Sequence, residues 1–208
     1  MLRHRVITVL TFNDGVLFRT KLFKPDYRYT LNFVDAWSVD EIVVLDVTRP
    51  GEGDRRNFEA IIRDFAQRCH VPLAAGGGIR SSDDAHRFME FGADKVIVNT
   101  GALERPDLIE EIAHSYGSQC VVLSIDAKPD DTGQYEVFAE FATKPTGRSP
   151  VSWAQEGQQR GAGEVMITAI ERDGWLQGYD LELSRQVADA VSIPILILGG
   201  CGNWKHMA

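Results

Sequence analysis

Seven short apolar runs alternate with helical segments along this chain, and this alternation restricts its fold more than any other feature. The runs contain few polar residues, as residues 41–46 and 120–126 illustrate. Strands of a parallel sheet with helices on both faces are apolar throughout, whereas strands with one wet face alternate apolar and polar residues. The pattern therefore predicts an α/β fold with a parallel sheet. Seven strand–helix units favour a (β/α)8 barrel over an open sheet.

The predicted elements follow the apolar runs and the amphipathic segments between them. Strands are predicted at residues 6–10, 41–46, 72–75, 95–98, 120–126, 164–168 and 194–198. Helices are predicted at residues 30–38, 57–69, 81–91, 106–116, 149–160 and 181–191. We expect the basic and aromatic segment 16–29 to form a long, partly ordered loop, and residues 128–147 to form a hairpin-like excursion.

Nearly every predicted strand ends in a polar residue or a glycine. The carboxyl ends of barrel strands share one face, where the functional site of such a barrel is built. We therefore expect these residues to surround one site. They are Thr11, Asp46, Gly76, Asn99, Asp126, Thr168 and Gly199.

The triplet Gly76-Gly77-Gly78 lies between a predicted strand and a predicted helix. A strand that turns directly into a helix leaves amide N–H groups free to bind an anion, and glycine lets a phosphate approach the backbone closely. A tight turn with no ligand is the alternative, and the triplet alone does not separate the two.

An internal repeat supports the barrel. Residues 40–45 resemble residues 163–168, and residues 71–78 resemble residues 193–200. Two half-barrels would place two glycine-ended strands on one face, which suggests a long substrate with an anion at each end. The repeat predicts seven of eight strands within one barrel domain, residues 1–208, truncated before strand eight. Closure of the barrel by another chain is the alternative.

Composition excludes several classes of function. The formal net charge of −8 argues against nucleic acid and anionic membranes as partners. No apolar run is long enough to span a membrane, and no secretory signal pattern is present. Cys69, Cys120 and Cys201 are widely spaced, so we expect reduced thiols and a cytoplasmic protein. Neither a metal site nor a cofactor is predicted.

A series of specific motifs runs along the whole chain. They include Asn13-Asp14-Gly15, Leu45-Asp46-Val47-Thr48, Gly76-Gly77-Gly78-Ile79-Arg80, Ser124-Ile125-Asp126-Ala127-Lys128, Arg172-Asp173-Gly174 and Gly178-Tyr179-Asp180. The series resembles one family, the cyclase subunit of imidazole glycerol phosphate synthase (HisF). In that family a glutaminase partner makes ammonia, which travels through the barrel interior to a substrate at the carboxyl face.

The resemblance implies roles for particular residues. One phosphate would be bound near Gly77, Gly78, Asn99 and Thr100, and the other near Asp173, Gly174, Gly200 and Gly202. Arg5, Glu41, Lys95 and Glu164 match the charged gate through which ammonia enters, and Asp94 and Gln119 match positions at the glutaminase interface. Without the resemblance, a buried ion-pair network that plugs the barrel would be the preferred interpretation of the four gate charges.

One residue departs from the family pattern. The cyclase uses two aspartates for acid–base chemistry; Asp126 matches the second, but Thr11 stands in place of the first. A threonine hydroxyl does not titrate near neutral pH and cannot replace a carboxylate as general acid or base. Asp14 lies three residues further on as a weak substitute, and Arg19 replaces the usual lysine of the next loop.

Three functions remain open. Thr11 beside an intact gate resembles HisF-like proteins of surface-polysaccharide clusters. In those, ammonia reaches a third amidotransferase protein that makes an acetamidino group on a phosphorylated or nucleotide-linked sugar. We favour this lipopolysaccharide role. A synthase (lyase) subunit that works in histidine biosynthesis is the second possibility, favoured by Asp126 and the density of motifs. A non-catalytic scaffold is the third.

Overall fold

The computed structural model describes residues 4–21, 24–26 and 39–207. Its strands form one sheet in the order β11-β10-β7-β6-β5-β4-β1-β2-β3, with β8 and β9 attached to β7. The strands are β1 (Ile7–Asn13), β2 (Val16–Lys21), β3 (Lys24–Asp26), β4 (Glu41–Asp46), β5 (Leu73–Gly76), β6 (Lys95–Val98), β7 (Val121–Pro129), β8 (Tyr135–Ala139), β9 (Lys144–Pro145), β10 (Glu164–Ala169) and β11 (Ile195–Leu198).

Six α-helices connect the strands within the described residues. They are α1 (Arg55–Arg68), α2 (Ser82–Glu90), α3 (Thr100–Glu104), α4 (Asp107–Tyr116), α5 (Pro150–Gln159) and α6 (Leu181–Ala188). Side-chain hydrogen bonds cap the N-termini of several helices. An example is the capping box between Ser81 and Asp84 at the start of α2. Five of the predicted helices are confirmed with shifted ends, and the predicted helix at residues 30–38 lies outside the described residues.

Seven strands run parallel in chain order, from β1 through β4, β5, β6, β7 and β10 to β11. The predicted parallel sheet is therefore confirmed. Within the described part of the chain, β11 pairs only with β10, and no pairing joins it to β1. The second edge of β1 is partly occupied, because Thr11 to Asn13 pair with β2. This strand order agrees with a barrel, but the described residues alone do not close it into a ring.

The predicted loop at residues 16–29 is wrong for the described part of that segment. Residues 16–21 and 24–26 form β2 and β3, which are antiparallel neighbours. The hairpin turns on Asp14 and Gly15, whose φ angles are 49° and 74°. Asp-Gly favours this two-residue turn because both central residues must adopt positive φ. The loop was predicted because segment 16–29 is rich in basic residues, whereas the Asp14-Gly15 turn favours a strand directly after it.

Two other differences concern the carboxyl face. Asp126 does not end its strand, because β7 continues to Pro129 and pairs antiparallel with β8. The predicted hairpin-like excursion is confirmed by this arm. The residues after Asn99 form the short helix α3, which the sequence analysis missed.

Two apolar clusters lie on opposite sides of the sheet. The larger one packs the helices against the strands and includes Phe12, Phe58 and Phe88, with ring centroids 6.1 Å and 5.7 Å apart. The smaller one lies on the side of the sheet away from these helices, which we call the concave side. It consists of Val43, Ala74, Ile97, Val122 and Met166. Among the helices of the described residues, none has both the length and the apolar character needed to cross a membrane.

Candidate functional site

Four charged side chains meet at the amino ends of the parallel strands. Glu41, Lys95 and Glu164 are the first residues of β4, β6 and β10, and Arg5 precedes β1. The guanidinium of Arg5 donates to Glu41 Oε2 at 2.7 Å and to Glu164 Oε1 at 2.6 Å. Lys95 Nζ lies 3.0 Å from both oxygens of Glu41 and 3.0 Å from Glu164 Oε2. The predicted gate residues therefore form one closed ring.

The ring is electrically balanced and largely removed from water. Two cations face two carboxylates, and the side chains of Glu41, Glu164 and Lys95 are 1%, 11% and 14% exposed. A buried charge needs a partner because desolvation costs several kcal/mol per ion. In this ring each carboxylate bonds both cations. The arrangement gives every formal charge a partner at the amino ends of the strands.

An apolar layer separates this ring from the carboxyl face. Side chains two residues apart lie on the same face of a strand. On β10 the succession is therefore Glu164, Met166 and Thr168, and on β4 it begins with Glu41 and Val43. Val43 and Met166 belong to the smaller apolar cluster. The concave side thus has a charged layer, an apolar layer and then a polar layer.

Asp126 is the centre of the polar layer. Asn99 Nδ2 donates to Asp126 Oδ2 at 2.8 Å, and Thr168, its register partner on β10, also hydrogen-bonds the carboxylate. The same amide nitrogen lies 3.5 Å from Ser124 Oγ. Asn99 Oδ1 is buried and accepts no hydrogen bond from the described residues. A buried acceptor without a donor favours a ligand that supplies an N–H or O–H group.

Burial raises the pKa of Asp126 from its ordinary 3.8 to about 6. The hydrogen bonds from Asn99 and Thr168 act in the opposite direction, and the nearby charge of Asp173 adds to the increase. A carboxyl group with this pKa is present in both protonation states near neutral pH. Asp126 can therefore both donate and accept a proton.

The raised pKa of Asp126 predicts a stability gain for Asp126→Asn that depends on pH. Between pH 3.8 and about 6 the folded protein keeps a proton that the unfolded chain has lost, so wild-type stability falls as pH rises through this interval. The loss amounts to about 3 kcal/mol and is complete about one pH unit above the folded-state pKa.

Urea unfolding at pH 4, 5, 6 and 8 measures this effect. We expect the variant to gain stability relative to wild type from pH 4 to about pH 7 and then to keep a constant advantage. Asp131→Asn, at an exposed position, serves as the control. A difference between Asp126→Asn and wild type that does not change with pH would contradict the burial of an ionisable carboxyl here.

Thr11 lies within β1, opposite Leu45 of β4 and Phe18 of β2. It shares a strand face with Ile7 and Val9, which pack against the smaller apolar cluster. Thr11 therefore belongs to the concave side, as its family match requires. No carboxylate occupies that position.

Asp14 does not substitute for the missing carboxylate. Its Oδ1 accepts from Asp54 N at 3.0 Å and from Asn57 Nδ2 at 2.7 Å, and its own amide donates to Thr48 Oγ1 at 2.8 Å. These bonds lower the pKa of Asp14 and join the β1–β2 turn to the start of α1. The Asp14 carboxylate therefore has a structural role in this turn.

The first predicted phosphate cradle is assembled by two neighbouring loops. Gly77 and Gly78 have φ angles of 117° and 60°, and a Cβ on Gly77 would lie 2.3 Å from the Asp46 carbonyl oxygen. Thr100 begins α3 at the end of the adjacent strand. The next residue, Gly101, packs closely against Ile79, because a Cβ on Gly101 would lie 2.1 Å from the Ile79 carbonyl oxygen. The structure thus brings Gly77, Gly78 and Thr100 to one edge, while the Asn99 side chain turns to Asp126.

Arg55 is a residue at this edge that the sequence analysis missed. Its Nη2 donates to the Gly77 carbonyl at 2.9 Å, and it fills the space beside Gly78. The only available signal was a basic residue at the start of the helix that follows β4. Thr168 and Ser124 were also not assigned roles, although Thr168 stood among the predicted strand ends.

The second predicted cradle lies where β10 and β11 end. Gly178 N donates to the Gly200 carbonyl at 2.8 Å, which holds the two loops together. Gly200 has a φ of 104°. Gly202 N donates to His206 Nδ1 at 3.0 Å, so this amide is engaged within the chain. Asp173 and Gly174 follow the short 3-10 helix after β10. Asp173 is close enough to Asp126 for its negative charge to raise the pKa of that carboxyl.

The two predicted interface residues lie near the charged ring. Asp94 precedes β6 and accepts from Leu73 N at 2.8 Å; Gln119 precedes β7 and donates to the Tyr116 carbonyl at 3.1 Å. Both are exposed. In the described part of the chain, no group of three or more His, Cys, Asp or Glu side chains is arranged to hold a metal ion.

Two comparisons with known proteins identify the family of this chain. The family described as "Histidine biosynthesis protein" matches residues 8–208. The imidazole glycerol phosphate synthase subunit HisF of Acidobacterium capsulatum is 48% identical over 213 residues, which cover 100% of this chain and 83% of the relative. The resemblance predicted from the sequence is confirmed. The chain belongs to the histidine biosynthesis protein family and is a HisF-like synthase subunit.

Proposed function

We propose that this protein forms imidazole glycerol phosphate from ammonia and a phosphorylated precursor, with Asp126 as its acid–base group. The observation that carries the proposal is the polar layer around Asp126, where a carboxyl with a pKa of about 6 lies beside the unpaired acceptor Asn99 Oδ1. The relative's name supports this product more than the acetamidino sugar that the sequence analysis favoured.

The layered interior suits ammonia as the nitrogen donor. A neutral molecule can cross an apolar layer, whereas an ammonium ion would lose its hydration there at high cost. Charged side chains at the mouth and Asn99 Oδ1 beyond the apolar layer offer polar contacts at both ends of that path. Ring closure around the incoming nitrogen requires proton transfers, which Asp126 can perform in either direction near neutral pH.

The phosphate groups of the substrate are proposed to bind at the two glycine-rich edges. Amides near Gly77 and Gly78 with the Thr100 hydroxyl would hold one, and the loops containing Gly174 and Gly200 would hold the other. The proposal is supported by the strand order, in which β5 and β6 lie on one side of β7, the strand that carries Asp126, and β10 and β11 lie on the other. A long substrate with an anion at each end would therefore lie across the acid–base group.

A glutaminase subunit is the proposed source of ammonia. The relative's name describes one subunit of a synthase, and the family resemblance implies a glutaminase as its partner. Its docking surface would include Asp94 and Gln119, which are exposed at the face that holds the charged ring. Docking there would place the ammonia-producing site next to Arg5 and Lys95.

An assay with the ribulosyl-formimino nucleotide substrate and an ammonium salt tests the proposal. We expect wild-type protein to release imidazole glycerol phosphate slowly, and Asp126→Asn to lose at least about a hundredfold in rate because one general acid–base group contributes 10²–10⁴. The stability gain predicted for this variant separates loss of chemistry from loss of fold. Equal rates for wild type and Asp126→Asn would show that Asp126 is not the acid–base group of the reaction.

Thr11 favours a second candidate function. Without a carboxylate on β1, the barrel interior could pass ammonia to a third protein that forms an acetamidino group on a phosphorylated or nucleotide-linked sugar. Under this alternative, wild-type protein stimulates a glutaminase partner but releases no imidazole glycerol phosphate. The two assays together separate the candidates, and a failure of both would leave only a scaffold role.

A further inference from the structure

The turn between β8 and β9 has an unusual backbone. Glu140, Phe141 and Ala142 have φ angles of 51°, 58° and 61°, so three consecutive residues other than glycine adopt the left-handed conformation. This conformation is unfavourable for L-residues because Cβ approaches a carbonyl oxygen. It persists only where surrounding contacts hold it, and it is concentrated at ligand clamps and switch segments.

Two contacts attach this turn to other loops of the carboxyl face. The guanidinium carbon of Arg49, in the loop after β4, lies 5.2 Å from the centroid of the Phe141 ring. Glu140 N donates to Thr100 Oγ1, the side chain at the start of α3, at 3.2 Å. The turn therefore bridges the loop after β4 and the first predicted phosphate cradle.

The β8–β9 arm, residues 135–145, is also fixed at its base. The Tyr135 hydroxyl lies 2.9 Å and 2.8 Å from the two carboxylate oxygens of Asp180. Asp180 in turn caps α6 by accepting from Leu183 N at 3.0 Å. The arm is thus held at one end by α6 and at the other by Arg49 and Thr100, so it crosses the carboxyl face.

The hydrogen bond from Glu140 determines how the Thr100 hydroxyl can be used. A threonine hydroxyl has one hydrogen to donate and two lone pairs that accept. Because the Glu140 amide occupies a lone pair, the hydroxyl hydrogen remains available to an anion beside Gly78. We propose that Arg49 and Phe141 form a clasp that keeps the arm closed and thereby orients the Thr100 hydroxyl toward a bound phosphate.

Arg49 and Phe141 are positioning residues in this account, since they act through Glu140 and Thr100. The identity of the ligand rests on the proposed function, whereas the clasp itself rests on the contacts of the arm. Glu140 does not place an unbalanced negative charge near the cradle, because Lys144 Nζ lies 3.3 Å from its Oε1.

The test compares Arg49→Ala, Phe141→Leu and the double variant with wild type. Hydrogen exchange of amides 140–143 without ligand measures closure, and titration with inorganic phosphate, followed by the amide shifts of Gly78 and Thr100, measures binding. A cation–π contact at an exposed site changes an equilibrium constant by about two- to fivefold. We therefore expect exchange to accelerate and phosphate affinity to weaken by about that factor in each single variant.

Three controls sharpen the comparison. The double variant should be no worse than either single variant, because both remove the same contact. Phe141→Tyr keeps an aromatic face and should retain wild-type behaviour. Arg63→Ala removes a similar contact on the outer helix α1, where Arg63 lies 4.1 Å from the Phe91 ring, and should change neither readout.

The outcomes separate this inference from the proposed function. Unchanged exchange in Arg49→Ala and Phe141→Leu would overturn the clasp and leave the proposed function standing. Faster exchange with unchanged phosphate affinity would overturn the positioning role. Wild-type protein that binds no phosphate would overturn both the positioning role and the proposed cradle.

Discussion

Thr11→Asp is expected to raise the rate of imidazole glycerol phosphate formation by about a hundredfold or more. A well-placed general acid–base group contributes 10²–10⁴ in rate, and Asp126 is the one carboxylate found at the matching strand positions of the family. Thr11 lies on the concave side of β1, on the same strand face as Ile7 and Val9. The replacement restores a pair of carboxylates without a large change in side-chain volume. The measurement is product formation at saturating ammonium salt.

Matched variants at the same position identify the cause of the gain. Thr11→Asn has the shape of aspartate but cannot titrate, so it should give no increase. The gain from Thr11→Asp should also disappear when Asp126→Asn is added, because cooperating groups are strongly non-additive. An equal gain from asparagine would contradict acid–base chemistry at this position.

Glu41→Ala is expected to lower the free energy of unfolding by about 3–5 kcal/mol, the usual cost of removing one partner from a buried ion pair. Glu41 is 1% exposed and accepts from both Arg5 and Lys95. Its removal leaves two cations with Glu164 as their only partner in the ring. Urea unfolding at constant pH measures the change, and a constant m-value shows that the unfolding reaction is the same.

Two comparisons test the ring explanation for this cost. Adding Lys95→Met to Glu41→Ala leaves Arg5 and Glu164 as a balanced pair, so the double variant should recover part of the stability. Asp64→Ala removes an exposed pair with Arg68, whose side chain is 77% exposed, and should cost less than about 1 kcal/mol. A cost for Glu41→Ala no greater than that of Asp64→Ala would show that the ring contributes no more than a surface ion pair.

The parallel sheet was predictable because one physical rule determines it. Strands buried on both faces must be apolar, so β4, β5, β6 and β10 were recognisable from composition alone. The gate residues Glu41 and Glu164 were named only because the family resemblance implied them, and the structure places both in the charged ring. Asp126 was predicted to lie at the carboxyl ends of the strands, and there it contacts Asn99 and pairs in register with Thr168.

The contacts between loops could not be predicted from the sequence. The clasp between Arg49 and Phe141 joins residues 92 positions apart, and no local pattern marks either one. The β2–β3 hairpin was missed because its basic residues obscured the strand pattern. The bond of Asn99 to Asp126 was missed because the resemblance assigned Asn99 to the phosphate cradle. Each of these features depends on which strands become neighbours.

Incorporation of 15N-labelled ammonium into the product tests the central claim most directly. Wild-type protein is incubated with the ribulosyl-formimino nucleotide substrate and 15N ammonium, without a glutaminase partner, and the product is analysed by mass spectrometry. We expect one 15N atom in the imidazole ring of imidazole glycerol phosphate, and loss of that product in Asp126→Asn. Absence of labelled product from wild-type protein that binds the substrate would contradict it.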